Sequence, residues 1–177
     1  MLRGRPVSVS LLSPQPLEEL AHADIATWLD TRLAEPQAQP VRDAGFGAEL
    51  IRAERQRRQW LLAQGLAEER EGRFHLVPDA IAQLRRRELL RAAQTLSEKL
   101  DLPFAESKAG ERIEGLCRQR VNLASGRYAL IERSHDFTLV PWRAVLERHL
   151  GRHVSGMVRG ETISWTIGRD RNGPSIG

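Results

Sequence analysis

The sequence is short of cysteine, lysine, aromatic residues and long apolar runs. Cys117 is the only cysteine in 177 residues, which excludes an internal disulfide and a thiolate zinc cluster and leaves a buried thiol in a reducing compartment. Apolar stretches reach only a few residues, far below the ~18–20 that cross a bilayer, and the start MLRGRPVSVSLLSPQP lacks the apolar region of a signal peptide. The expectation is a soluble, cytoplasmic protein with no membrane insertion. Aromatic residues make up 5%, with Tyr128 the sole tyrosine. Of 27 basic residues only Lys99 and Lys108 are lysine, leaving 25 arginines against 23 acidic residues. The planar arginine fork pairs bidentately with phosphate and with guanine edges, which suits nucleic acid. A GC-rich genome that writes arginine for every surface cation gives the same composition, and a net charge of +4 does not separate the two.

With 41% hydrophobic residues the chain can bury one or two small cores. Residues 1–16 hold three prolines and no periodicity, and read as a flexible arm. From residue 17 to about 33, Leu17, Leu20, Ala21, Ile25, Trp28, Leu29 and Leu33 recur every three or four positions and predict one amphipathic helix, which Pro36 and Pro40 end. A second helix starts at Phe46-Gly47 and runs to about residue 64. Its inner stripe is Leu50, Ala53, Trp60 and Leu61, and its outer face is assigned Arg52, Arg55, Arg57 and Arg58. Gly65-Leu66 reads as a left-handed C-cap with its hydrophobic contact.

Glu71-Gly72 between two short strand-like pieces predicts a β-hairpin, and a further helix follows from about residue 78 to 100. Helix, helix, hairpin, helix is the order of a winged-helix domain, whose helix before the hairpin is offered to a groove. A plain helical bundle with a solvated arginine face fits the same pattern. After Pro103 the period changes from 3.6 to 2. Residues 112–123, 127–133, 137–142, 154–159 and 162–168 read as five strands, with a short helix over 143–150. The fold class is therefore α+β: a winged-helix-like helical domain over 17–104, then a small five-stranded β-barrel-like domain over 105–168. A basic flexible tail, 169–177, completes the chain.

The run from residue 125 to 177 closely resembles the end of a domain of unknown function that follows the nuclease in plasmid mobilisation relaxases. The pieces that carry the resemblance are Phe137-Thr138-Leu139-Val140-Pro141-Trp142-Arg143, Val145-Leu146-Glu147, Val154-Ser155-Gly156, Ser164-Trp165 and Gly168-Arg169. RQWLLAQGLAEE and RRREL upstream are also similar, extending the resemblance over roughly residues 45–177. It implies a role in conjugative DNA processing, in a chain that begins after the nuclease would have ended. The two roles implied are a DNA-binding module at the transfer origin or transferred strand, and a module docking the relaxase to the coupling protein of a type IV secretion system. A stand-alone winged-helix regulator is the third reading.

Catalysis of the relaxase kind needs a tyrosine nucleophile and a metal held by clustered histidines. Tyr128 lies in an alternating strand and reads as packing. His149 and His153 are four apart, but Gly151 between them ends the helix and no third ligand is evident. His135-Asp136 falls in a turn, Ser125-Gly126 lacks the strand–turn–helix setting of a nucleophile elbow, and no phosphate-cradling loop is present. The chain is expected to be a non-enzyme without metal or cofactor. Candidate DNA contacts are Arg52, Arg55, Arg57, Arg58, Arg70, Arg73, Arg85, Arg86, Arg143, Arg159 and Arg169. Trp28 and Trp60 fall on apolar stripes. Trp142 and Trp165 are either core or, if exposed beside Arg143, Arg159 or Arg169, platforms for base stacking.

Overall fold

The structure, a computed structural model, describes residues 14–35, 41–160 and 162–166. Most of the expected arm, the prolines at 36 and 40, and the basic tail with Arg169 lie outside the described residues. The fold is α+β. Helices α1 (Leu17–His22), α2 (Trp28–Ala34) and α3 (Phe46–Ala63) lead into a hairpin of β1 (Ala67–Arg70) and β2 (Arg73–Leu76), and then α4 (Ala80–Leu100). Five strands follow: β3 (Arg112–Leu123), β4 (Gly126–Glu132), β5 (Phe137–Pro141), β6 (His153–Arg159) and β7 (Thr162–Thr166), with a 3-10 helix at Ala144–His149. The chain divides into two compact units, Met1–Arg85 and Arg86–Gly177, so the division falls inside α4, ahead of the change in periodicity near residue 103. Among the described residues, no helix is long and apolar enough to cross a membrane.

The single helix expected over residues 17–33 is in fact two, and a buried ion pair explains the break. Arg57 of α3 is fully buried. Its Nε donates to Asp30 Oδ1 at 2.7 Å and its Nη2 to Asp30 Oδ2 at 2.9 Å. Nη1 donates to the carbonyls of Ala23 at 2.6 Å and Leu20 at 3.3 Å, and Nη2 to that of Ile25 at 2.8 Å. All five N–H donors of the guanidinium are thereby satisfied, and Trp60 lies under it at 4.5 Å. The carbonyls of Ala23 and Ile25 accept from Arg57 because the chain leaves the helix there, with Ala23 extended at φ −66, ψ 130. Helix α2 then restarts at Thr27, whose backbone N–H donates to Asp30 Oδ2 at 2.7 Å.

Other local signals hold. After α3, Gly65 at φ 68 closes the helix with Leu66 N–H donating to the Leu61 carbonyl and Gly65 N–H to that of Leu62, the Schellman pattern. Leu61, Leu66, Ala67, Ala80 and Leu84 are buried together, with Phe74 and Leu76 of the hairpin packed on them. Glu71 and Gly72 both take positive φ, 51 and 70, as a two-residue hairpin turn of the right-handed twist demands.

In the second unit the strands form one antiparallel sheet in the order β5-β4-β3-β6-β7. The barrel-like domain expected here is not closed: the sheet is open, and no ladder joins β5 to β7 among the described residues. An odd number of strictly antiparallel strands leaves the two edges running the same way, so closure would require a parallel ladder. The sheet instead gathers one face into a shared core. Ile113, Cys117, Ala129, Ile131, Val140, Val154, Val158 and Ile163, from all five strands, bury together with Leu146 of the 3-10 helix. Burial pushes the Cys117 thiol up from its ordinary value, in keeping with a structural thiol. On the other face α4 lays Ala93, with Leu89, Leu96 and Leu100, against Leu130, Phe137 and Leu139. Strands β4 and β5 are thus covered on both sides, which explains the unbroken burial from Phe137 to Val140.

A bulge between Cys117 and Gln119 changes which residues of β3 face the inner core. Before it Ile113 and Cys117 point there; after it Val121 packs on the α4 side. Glu88 of α4, nearly buried, accepts from the backbone N–H groups of Ala124 at 2.7 Å and Ser125 at 3.0 Å, tying the β3–β4 turn to the helix.

Removing one member of the Arg57–Asp30 pair strands the other in the interior. Arg57→Met is expected to lower the unfolding free energy by about 3–5 kcal/mol in urea titrations, and Arg57→Met/Asp30→Leu to recover only the part due to the stranded carboxylate, since the carbonyls of Leu20, Ala23 and Ile25 and the Thr27 N–H still lack their partners. A loss below ~1 kcal/mol for the single variant would contradict the assigned role. At Gly115 an added Cβ would stand 2.4 Å from the Glu132 carbonyl oxygen and 2.9 Å from Ile131 Cγ2. Gly115→Ala is therefore expected to cost about 1–3 kcal/mol, seen as a lower denaturation midpoint at unchanged slope.

Candidate nucleic-acid interface

A helix turns about 100° per residue, so the α3 positions Leu50, Ala53, Arg57 and Leu61 share one side, and all four are buried. Arg52, Arg55, Arg58 and Gln59 occupy the opposite arc and are exposed. Helix α3 carries two carboxylates: Glu54, held by Arg32 of α2, and the exposed Glu49, one turn before Arg52. From Arg52 to Arg58 the outer arc of α3 is a strip of three cations, flanked at its start by Glu49. Arg58 reaches the hairpin, with its guanidinium carbon 5.5 Å from the Phe74 ring, so the strip continues to the strand that carries Arg73.

The expectation for Arg57 is corrected. It is not an outer-face residue: it lies at the seventh position after Leu50, on the apolar stripe, and its charge belongs to Asp30. The hairpin is also less basic than its arginines imply. Arg70 bonds Glu68 at 2.7 Å, and Glu69 and Glu71 stand beside it. Arg70 and Arg73 face each other directly across the two strands, and like charges in such a pair repel unless an anion lies between or above them. Arg85 is exposed on α4 in the first unit.

The remaining candidates lie in the second unit. Arg86 pairs with Glu106 through two hydrogen bonds, at 2.9 and 2.8 Å. These bonds raise the guanidinium pKa and hold the Glu106 carboxyl below the usual carboxylate range. Arg143 and Arg159 are exposed. Trp142 and Trp165 are half-buried against the inner core of the sheet. Arg120 lies 5.7 Å over the Trp142 ring, and the Trp165 ring abuts the Cα of Gly156, where an added Cβ would meet it at 2.8 Å. Both tryptophans therefore read as packing residues, and the residues in front of them that sequence reasoning missed are Arg120 and Gly156. Only the alternation of β3 beyond its bulge could have flagged Arg120.

His149 ends the 3-10 helix and His153 opens β6, with Gly151 at φ 75 between them. Among the described residues, no group of three or more His, Cys, Asp or Glu is placed to hold a metal ion.

A family model described as Protein of unknown function (DUF3363) matches residues 1–174. The chain belongs to this family. No curated protein and no solved structure matches it. Within this DUF3363 chain the arginines that stand together are those of α3 and the adjoining strand β2, so the candidate interface is Arg52, Arg55, Arg58 and Arg73.

Because the folded Glu106 carboxyl titrates below its unfolded value, its pair with Arg86 stabilises the fold above the ordinary glutamate pKa of about 4.3. That contribution is lost as pH falls through the lowered folded value. In urea midpoints measured against pH, Glu106→Gln should show a shallower acid limb than the parent chain, while the two coincide in slope near neutrality.

Proposed function

We propose that this chain is a non-catalytic DNA-binding module of a conjugative relaxase, acting in the mobilisation of a plasmid or integrative element in the bacterial cytoplasm. The observation that carries this reading is the arginine strip on the outer arc of α3, whose three guanidinium groups have no carboxylate partner among the described residues. Three arginines at Arg52, Arg55 and Arg58 project from the side of a helix opposite its buried stripe, on the helix that precedes a hairpin. In a winged-helix domain that helix enters the major groove and the hairpin follows the backbone beside it. The resemblance of residues 125–177 to the region after the nuclease of relaxases supplies the biological setting. The ring of Tyr128 packs with Leu130 and Leu139 on the α4 side of the sheet.

Phosphate contacts release condensed counterions, so binding to duplex should fall with salt at a logarithmic slope of about −0.9 per contact. Anisotropy titrations of a transfer-origin duplex and the matching single strand test the reading across a salt series. Arg52→Gln/Arg55→Gln/Arg58→Gln is expected to reduce the duplex slope by roughly 2–3 and the affinity at least tenfold. A salt response that is flat, or unchanged by the triple variant, would overturn the assignment. A steeper slope on the single strand would move the interface away from α3.

A further inference from the structure

The 3-10 helix at Ala144–His149 and its C-cap residue carry two of the large apolar side chains that stand exposed among the described residues, Val145 at 45% and Leu150 at 40%. Positions i and i+3 eclipse in such a helix, which sorts the segment into three columns. Leu146 docks into the inner core of the sheet, with Arg143 and His149 above and below it. The other two columns, Val145 with Arg148 and Ala144 with Glu147 and Leu150, are exposed throughout.

The charges around these side chains are not cancelled. Arg143, Arg148 and Arg152 are exposed, and none of them has a carboxylate partner among the described residues. Glu147, the one acid of the segment, is engaged by Arg120 at 3.6 Å, and that same guanidinium lies over Trp142. The segment thus offers solvent two aliphatic side chains and three exposed arginines that have no carboxylate partner among the described residues.

A phosphate backbone would give the arginines partners and leave Val145 and Leu150 in water. A peptide that sets Asp or Glu beside Leu, Ile or Phe uses both features: its carboxylates fit the forks, and its apolar side chains remove the aliphatic surface from water. The geometry points to a docking surface at residues 143–152 for an acidic, apolar-bearing segment of a partner protein. This surface is separate from α3 and does not rest on the nucleic-acid reading.

Random dodecapeptides displayed on phage, selected against the full chain and counter-screened on Val145→Ser/Leu150→Ser and Arg143→Glu/Arg148→Glu, test it. Enriched peptides should combine Asp or Glu with Leu, Ile or Phe and lose roughly tenfold or more in affinity on each variant. Duplex binding by Val145→Ser/Leu150→Ser should match that of the parent chain. The changed side chains are exposed and Leu146 is retained, so the thermal transitions of both variants should stay close to the parent's. The proposal is overturned if no peptide enriches, if neutral or basic peptides enrich, or if the serine variant binds the selected peptides as well as the parent. It is also overturned if that variant loses duplex affinity, which would make the surface a nucleic-acid contact. Loss, in the serine variant, of cosedimentation with phosphatidylserine vesicles would assign the surface to lipid and overturn it as well.

Discussion

The first unit depends on one guanidinium. Arg57 crosses from α3 to the end of α1, the connecting loop and the first turn of α2, and meets five acceptors there. Two of those acceptors share the charge of Asp30, whose Oδ2 also holds the backbone N–H that starts α2. Helices as short as six and seven residues are not stable by propensity alone. Their geometry here is imposed by the group they wrap. Buried pairs of this kind contribute little net stability compared with apolar residues of the same volume, but they penalise every arrangement in which the five acceptors do not converge. Such a penalty selects one packing of two short helices on α3 among several that their apolar stripes would permit. It also sets the orientation of α3, and with it the direction in which Arg52, Arg55 and Arg58 project.

Much of the architecture was legible because it is written in local rules. The Gly65-Leu66 cap, the Glu71-Gly72 turn, the three helices after residue 45 and all five strands of the sheet follow from period and punctuation, and the described strands begin within one residue of their expected starts. What was not legible is non-local. The period of Leu20, Ala21, Ile25 and Trp28 runs unbroken through the loop at 23–27, because the cause of the break sits some thirty residues downstream. Arg57 itself was readable: Leu50, Ala53, Arg57 and Leu61 keep helical spacing, and an arginine in that stripe marks a buried partner. Treating every arginine of α3 as surface hid it.

The candidate interface shows the same division. Composition supplied the arginines and helix geometry supplied the arc of α3, but pairing decided which of them remain available. Arg70, among glutamates, and Arg86, in a run of three arginines, are both engaged by glutamates, one two residues away and the other twenty. The tryptophans beside basic residues, Trp142 and Trp165, pack against the inner core of the sheet.

Among the described residues, the open sheet leaves two rows of backbone groups without a neighbouring strand, the kind of margin at which sheets self-associate. The β5 row is shortened from both directions. Its first residue exchanges hydrogen bonds with the stretch that follows α4, Phe137 N–H to the Pro103 carbonyl and Ala105 N–H to the Phe137 carbonyl, and it ends at Pro141, which has no N–H to offer. The β7 row is only five residues long over its described part, with Thr162, Ser164 and Thr166 on its outer side. Over the described residues, each margin therefore presents a second copy with only a short run of free amides.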